Sequence, residues 1–295
     1  MIREISPIQL GASLYIPATH KNVIEICNNN KYPALKSCII DTEDAIIADD
    51  LSLALDNISK MLQDYKPSEL AVFIRPRNPH ILQEILKIKN IEKIDGFSLP
   101  KFSTEVMKEY AQIISLSNKE FYIMPILESK DIFSQTKLDE IKEFLISCKI
   151  PTLTLRLGGE DMMNYLGLKR RCKDNIYSLI APSLVIARVI NTFKPYGFNI
   201  SATVFNCIHQ EELYKQNVLE DLKQGLIGKT IIHPNQIEPL NEIYKVTKKD
   251  YEVAKKMLDK TTDAIIVTDG QMGEKFAHSS WAKIILLRAK FYGIL

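Results

Sequence analysis

The chain has 295 residues, 46% of them hydrophobic and 25% charged, a composition typical of a globular protein with a large core. Its 38 basic and 36 acidic side chains give a formal net charge of +2, which argues against binding to nucleic acid or to a membrane surface. No apolar run approaches the length of a membrane span, and the first residues contain no apolar segment of the signal-peptide kind. We therefore predict a cytoplasmic protein that acts on small molecules.

The cysteines are scattered along the chain, and no two of them form a CxxC pair. Their odd number does not suit a framework of disulfide bonds. Buried or free thiols in a reducing compartment are the expectation for all of them. They are Cys27, Cys38, Cys148, Cys172 and Cys207.

Eight short apolar runs alternate with longer segments of helical periodicity, such as residues 80–91 and 138–148. Continuous apolar runs of this length are typical of strands buried on both faces of a parallel sheet. The alternation predicts a (β/α)8 TIM barrel, an α/β fold, with a doubly wound open sheet as the alternative. No GxGxxG motif follows the first run, which disfavours a dinucleotide-binding open sheet. The runs are SLYIP (13–17), SCIID (37–41), AVFIR (71–75), GFSLP (96–100), YIMPI (122–126), TLTLR (152–156), NISAT (199–203) and KTIIH (229–233).

The last part of the chain has a different pattern. Residues 241–263 and 279–293 have helical character, and residues 263–270 resemble a strand that ends in a turn. We predict a barrel over residues 1–239 and a helical extension over residues 240–295. Because the extension is shorter than a usual independent domain, we expect it to pack on the barrel or on a neighbouring subunit.

In a TIM barrel the active site lies at the carboxyl ends of the strands, so the polar residues there are the candidates for function. Acidic residues dominate this set, and several carboxylates at one mouth repel each other unless a cation lies among them. Oxygen ligands favour Mg2+, Mn2+ or Ca2+ over zinc. In chain order the candidates are Asp41, Glu43, Asp44, Arg75, Lys101, Glu128, Glu160, Asp161, Thr203 and His233.

Six motifs that occur in order along nearly the whole chain resemble those of the citrate lyase β-subunit group in the HpcH/HpaI aldolase superfamily. This superfamily includes citryl-CoA and malyl-CoA lyases, and the chain is also similar to its branch of C–C bond lyases associated with stress and tellurite-resistance genes. The most specific signals are GGED followed by LG, and the final motif. The motifs are IIDTEDAI (39–46), FIRPRNP (73–79), DGFSLPKF (95–102), MPILES (124–129), LGGEDMMNYLG (157–167) and GKTIIHPNQIEPLNE (228–242).

The resemblance implies a Mg2+-dependent carbon–carbon lyase, with Mn2+ as an alternative ion, that acts on an oxo acid or its CoA thioester. It implies that Glu128 and Asp161 hold the metal. It also implies that Arg75 binds a carboxylate or enolate oxygen of the substrate, for which a planar guanidinium is suited. Glu43 and Asp44 would orient a water on the metal or the site arginine. A homo-oligomer, a trimer or a hexamer, is the implied assembly.

Two departures from the family pattern concern the substrate. In the CoA-dependent members an Asp from a neighbouring subunit's C-terminal segment reaches the site, and here the motif reads DGQMGEK (269–275), which places Glu274 at that position. Near the first strand, Ala12-Ser13 and Ala18-Thr19 replace residues expected near the CoA phosphates. These departures favour an alternative in which the same enolate chemistry acts on a non-CoA substrate.

Simpler structural roles stand beside each functional assignment. Glu128 and Asp161 are also suited to cap helices, and Arg75 to form a structural ion pair with Glu43. Glu43 and Asp44 could equally cap a helix that starts near residue 45. Two further residues have structural roles as the preferred interpretation: Lys101 as a buried ion-pair partner of the acidic cluster, and His233 as a hydrogen-bonded strand-end histidine. A catalytically silent binding subunit is the third functional alternative.

Overall fold

The computed structural model describes residues 2–259, 265–268 and 271–295. The chain divides into two compact units, Met1–Ile237 and Glu238–Leu295. This division falls near the boundary after residue 239 that the sequence suggests. Within the described residues, no helix combines the length and the apolar character needed to cross a membrane.

The first unit is a barrel of eight parallel strands in the order β7-β6-β5-β4-β3-β2-β1-β8. A parallel bridge between Ala202 and Lys229 joins the two ends of this sheet. The predicted TIM barrel is therefore confirmed. The strands are β1 Ala12–Pro17, β2 Ser37–Asp41, β3 Ala71–Arg75, β4 Gly96–Leu99, β5 Tyr122–Leu127, β6 Leu155–Leu157, β7 Ile200–Ser201 and β8 Lys229–Ile231.

The strands form where apolar residues run without interruption. Every residue of β2, β3 and β4 is buried, which is the environment that such runs favour. The sixth run is displaced from its predicted position. Thr152 forms an isolated bridge with Ile123 of β5, and regular strand pairing begins only at Leu155. The seventh run shortens to Ile200–Ser201.

Helices connect the strands and cover the barrel through amphipathic faces. In α2, the buried residues Ala54, Ile58, Met61 and Leu62 recur at helical spacing and mark the inward face. The segment predicted over 80–91 is helical only to Leu86, with a separate 3-10 turn after it. The helices of this unit are α1 Val23–Cys27, α2 Leu51–Asp64, α3 Pro79–Leu86, α4 Met107–Ser115, α5 Gln135–Ser147, α6 Gly159–Tyr165, α7 Ile180–Phe193 and α8 Glu211–Lys223.

The second unit is mainly helical. Helix α9, Ile237–Tyr244, begins at its boundary and is followed by α10, Lys248–Leu258, and α11, Lys275–Tyr292. Strands β9, Ile265–Thr268, and β10, Gln271–Glu274, form an antiparallel pair, and only β9 is predicted from the sequence. A separate apolar cluster stabilises this unit, formed by Val246, Ala254, Met257, Ala282 and Ile285.

The cysteines correct one expectation. Cys172 and Cys207 form a disulfide, whereas free thiols are predicted for all five cysteines. The pair is 35 residues apart, in the segments that follow α6 and β7, and only the barrel topology brings these segments together. Cys27, Cys38 and Cys148 are free thiols, as expected.

Candidate active site

A cavity of about 370 Å³ lies at the carboxyl ends of the barrel strands. A larger groove of about 1300 Å³ is lined in part by Arg3 and Asp95, which form an ion pair with 2.7 Å between Nη2 and Oδ2. The strand-end cavity brings together most of the acidic residues predicted as candidates, so we take it as the active site. Its lining includes Tyr15, Asp41, Asp44, Ala45, Arg75, Ile126, Glu128, Arg156, Leu157, Gly158, Gly159, Glu160, Asp161, Val204, Thr230 and Ile232.

Arg75 ends β3 and is only 8% exposed. Its Nε and Nη2 atoms donate to the two carboxylate oxygens of Asp41, each at 2.6 Å, and its Nη1 lies 2.8 Å from Glu43 Oε2. The ion pair with Glu43 that the sequence leaves as a structural alternative is therefore present. Burial alone would lower the pKa of Arg75, but the hydrogen bonds and the charge of Asp41 raise it instead.

Asp41 stabilises the turn that follows β2. Its carboxylate accepts from the backbone N–H groups of Glu43 at 2.9 Å and Ala45 at 3.1 Å. The alternative in which Glu43 and Asp44 cap a helix that starts near residue 45 is wrong, because a 3-10 turn covers Ala48–Asp50 and α2 begins only at Leu51. Asp41 is fully buried and so holds both the turn and the guanidinium of Arg75.

Glu43 and Asp44 differ in their surroundings. Glu43 is buried and pairs with both Arg75 and Lys101, while the Asp44 side chain is 61% exposed and lies 3.6 Å from Arg75 Nη1. Burial raises the pKa of Glu43, against the opposing charge of Arg75. Lys101 is the ion-pair partner of the acidic cluster that we expect, but it is half-exposed rather than buried.

Glu128 follows β5 directly and is only 5% exposed. Its Oε1 accepts a hydrogen bond of 2.8 Å from the backbone N–H of Lys101, a residue in the left-handed region with φ of 48°. Burial, and after it the charge of Glu43, raises the pKa of Glu128 to about 8, with a further contribution from Asp161. A cation in this cavity would compensate the negative charge that burial and the neighbouring carboxylates destabilise.

Asp161 lies in the first turn of α6, and two glycines bring that turn close to Glu128. A Cβ atom on Gly158 would lie 2.2 Å from the Cβ of Glu128, and one on Gly159 would lie 2.8 Å from the Cβ of Thr203. Any side chain at either position would therefore displace its neighbour. The close approach of α6 to Glu128 and Thr203 therefore requires glycine at positions 158 and 159 of the GGED motif.

Glu128 and Asp161 fit the demands of a Mg2+ ion. Both line the cavity, and in the described part of the chain neither makes an ion pair with a basic residue. Mg2+ commonly takes one or two carboxylates and keeps several waters. The described residues contain no group of three or more His, Cys, Asp or Glu side chains that could hold a metal, so the two carboxylates would be completed by water or substrate oxygens.

The remaining candidates lie elsewhere. His233 accepts a hydrogen bond of 3.3 Å from the backbone N–H of Asn235, in agreement with the expected structural role. Glu274 lies in the second unit, where it ends β10, precedes α11 and has an exposed side chain. Asp269 and Gly270 of its motif lie outside the described residues.

Arg156 is the residue that sequence reasoning missed. It is the last residue of the run TLTLR and so satisfies the criterion of a polar strand-end residue. Arg156 is 1% exposed and lines the cavity. Asp41 is the second omission, since the sequence placed it at a strand end without giving it a role.

Comparison with known proteins decides the family. The model of a family described as C–C bond lyase of the TIM-barrel fold matches residues 4–294. The chain belongs to this family. The predicted family and the predicted enzyme class, a carbon–carbon lyase, are thereby confirmed.

Individual relatives of this lyase are distant. The citrate lyase subunit beta of Leuconostoc mesenteroides subsp. cremoris is 25% identical over 256 residues, covering 81% of each chain. The mitochondrial citramalyl-CoA lyase of Rattus norvegicus is 23% identical, covering 84% of this chain and 75% of the relative. The structure of CitE from Mycobacterium tuberculosis in complex with magnesium, acetoacetate and coenzyme A superimposes with a TM-score of 0.70 at 19% identity, covering 96% and 99% of the two chains.

The first prediction concerns Gly158 of the lyase. We expect Gly158→Ala to weaken Mg2+ binding strongly, because the added Cβ would lie 2.5 Å from Glu128 Oε2 and displace the carboxylate. Isothermal titration with Mg2+ measures the effect. The matched control is Gly167→Ala, whose added Cβ meets nothing within 4 Å. That control costs roughly 1–2 kcal/mol through its left-handed backbone and leaves Mg2+ binding intact. Equal Mg2+ affinity in both variants would contradict the role of Gly158.

The second prediction concerns pH. Because the pKa of Glu128 is raised to about 8, its carboxyl group binds a proton at neutral pH that a metal must displace. We expect Mg2+ affinity to rise as pH increases toward 8 and then to level off. Titrations in buffers of different ionisation enthalpy should detect release of a proton on binding at pH 7, and Glu128→Gln should abolish that release. An affinity that is constant from about pH 6 to 9 would rule out this linkage.

Proposed function

We propose that this lyase cleaves or forms a carbon–carbon bond next to the oxo group of an oxo acid or its CoA thioester, with Mg2+ held by Glu128 and Asp161. The observation that carries the proposal is the pair of cavity carboxylates without basic partners, one with its pKa raised to about 8 by burial and by its acidic neighbours. When bound, Mg2+ would act as a Lewis acid that stabilises the negative charge of the enolate. Mn2+ is the alternative ion.

Arg75 is the proposed partner of the enolate oxygen. A guanidinium has five N–H donors, and Asp41 occupies two of them while Glu43 faces a third. The remaining N–H groups can donate into the cavity that Arg75 lines. Asp41 fixes the orientation of the guanidinium before substrate binds, which is the preorganisation that charge stabilisation in a transition state requires.

Three acidic residues have proposed supporting roles. Glu43 balances the charge of Arg75 and Lys101 and so keeps the guanidinium in place. Asp44, exposed at the mouth, would orient a water molecule there. Glu274 would approach the site of a neighbouring subunit, in the manner implied by the family motif.

The substrate separates the two main alternatives. Use of a CoA thioester is supported by the citramalyl-CoA lyase relative and by the coenzyme A complex of the bacterial CitE protein. The non-CoA alternative is supported by the departures at Ala12-Ser13, Ala18-Thr19 and Glu274. A silent binding subunit is not favoured, because the cavity keeps Arg75, Glu128 and Asp161 together.

A homo-oligomer, a trimer or a hexamer, is the proposed assembly, and the cytoplasm is the proposed location. In the second unit Phe276 is 96% exposed and Trp281 is 37% exposed, which suits a contact between subunits. The three free thiols favour a reducing compartment, whereas the Cys172–Cys207 disulfide favours an oxidising one. Light scattering and cell fractionation measure these two properties directly.

The third prediction tests metal dependence. We expect Glu128→Gln and Asp161→Asn to weaken Mg2+ binding by more than about 100-fold, since loss of groups that only support metal ligands costs about 10–100-fold. Glu160→Gln is the matched control, because Glu160 lines the same cavity but is exposed and accepts a hydrogen bond from Asn206 at 3.2 Å. Isothermal titration measures binding. Wild-type Mg2+ affinity in both ligand variants would disprove the proposed site.

The same variants report on catalysis. Wild-type protein with Mg2+ is incubated with oxo acids in the presence and absence of acetyl-CoA, and products are followed by mass spectrometry. We expect turnover that chelation of the metal and Glu128→Gln both abolish. Turnover only with acetyl-CoA would select the thioester reaction, and turnover without it would select the non-CoA alternative. Turnover that survives complete removal of the metal would refute the proposal.

A further inference from the structure

Arg156 is a buried cation inside the barrel without an acidic partner. It is 1% exposed, yet it lines the cavity. Its Nη2 donates to Thr230 Oγ1 at 2.8 Å, and its Nη1 lies 3.3 Å from Ser13 Oγ and 3.9 Å from Met124 Sδ. Its Nε is buried and has no hydrogen-bond partner. Among the described residues, no carboxylate lies within 4.0 Å of its guanidinium.

The surroundings of Arg156 differ from those of Arg75. Arg75 has Asp41 and Glu43 within 2.8 Å, so its charge is already compensated by the protein. The guanidinium of Arg156 is a cation with N–H donors only, and its protein partners are two hydroxyls and a thioether. A buried charge without a counter-charge is costly. An anion that enters the cavity would provide what the protein does not.

The strand register places the two arginines at different depths. Arg156 contacts Ser13 and Thr230, which are register partners, whereas Arg75 is bonded to Asp41, the register partner of Pro17. Ser13 and Pro17 are four residues apart on one strand, a rise of roughly 13 Å. Arg156 therefore contacts the strands nearer to their amino ends, deeper in the barrel than the contacts of Arg75.

Tyr15 links these two levels. Its ring centroid lies 4.9 Å from Arg75 Cζ and 5.5 Å from Arg156 Cζ. The ring lines the cavity together with both arginines. A small molecule lying against Tyr15 can therefore reach one guanidinium near the mouth and the other at the floor.

We propose that Arg156 binds an anionic group at the inner end of the substrate, a carboxylate or a phosphate, and so selects oxo acids that have a second acid group. The proposal rests on the proposed function for the position of the reacting end, which lies with Glu128, Asp161 and Arg75 at the mouth. A guanidinium suits either anion because its N–H donors form a planar fork. Arg156 is thus a specificity-determining residue, distinct from the metal ligands.

The test compares pairs of oxo acids that differ in one acid group. Wild-type protein saturated with Mg2+ is titrated with oxaloacetate against 2-oxobutyrate, and with 2-oxoglutarate against 2-oxovalerate. We expect the dicarboxylate of at least one pair to bind about tenfold more tightly or better, the order expected for a hydrogen bond to a charged group. Arg156→Met should reduce this ratio to near one while leaving the affinities for Mg2+ and for the monocarboxylate unchanged.

Two variants keep the outcome interpretable. Arg288→Met is the matched control, because Arg288 is a largely buried arginine of the second unit that donates to the backbone carbonyls of Ile243, Tyr244 and Lys245. It should keep the wild-type ratio. If Arg156→Met does not fold, Arg156→Lys takes its place, since it keeps the charge without the fork and should reduce the ratio in part.

The outcomes separate this inference from the proposed function. A ratio near one for both pairs in wild type, or a ratio that survives in Arg156→Met, would overturn the role of Arg156 and leave the metal site intact. Loss of Mg2+ and monocarboxylate binding in Arg156→Met would also overturn it, because the residue would then be structural. If wild type with Mg2+ binds no oxo acid, the proposed function fails. Titration of metal-free protein with succinate and with inorganic phosphate then decides, and binding of neither in an Arg156-dependent manner overturns the inference.

Discussion

Repulsion among carboxylates at one end of the barrel is the constraint on which the site depends. Asp41, Glu43, Asp44, Glu128 and Asp161 lie at this end of the barrel, and all of them except Glu43 line the cavity. Arg75 and Lys101 compensate the first three of these residues. Glu128 and Asp161 have no basic ion-pair partner among the described residues, and burial, followed by the charge of Glu43, raises the pKa of Glu128. The protein thus divides its acidic residues into a neutralised set and a set suited to a cation.

The backbone enforces this division. Glu128 cannot move away from its neighbours, because the N–H of Lys101 holds one of its oxygens and α6 approaches it on the other side. That approach is possible only because residue 158 has no side chain. Gly158 belongs to the GGED motif. The absence of a side chain at this position leaves the space that the Glu128 carboxylate occupies. The same motif supplies Asp161 one turn later.

Much of the barrel could be predicted from the sequence, and the limits have physical causes. β2 and β3 lie where their apolar runs predict, because residues buried on both faces leave an unbroken signal. β7 is only two residues long and β6 starts late, so their runs carry a weaker signal of pairing. The Cys172–Cys207 bond joins two loops that are distant in sequence, and no local spacing could indicate it. Asp41 and Glu43 are both acidic residues at the end of a strand. The conformation of the turn determines that Asp41, rather than Glu43, accepts hydrogen bonds from Arg75 with both carboxylate oxygens.

Arg156 shows why polar strand residues need the register as well as the sequence. Read along the chain, it is one of several charged residues that end apolar runs, and Arg75 is the more conspicuous because a motif surrounds it. In the barrel the two differ by what faces them: Arg75 has acidic residues of the protein, while Arg156 has only hydroxyls, a thioether and an aromatic ring. An arginine whose charge is already compensated can orient and donate, but it gains little from a further anion. An arginine without compensation gains most from one, so the second acid group of a substrate is expected at the floor rather than at the mouth.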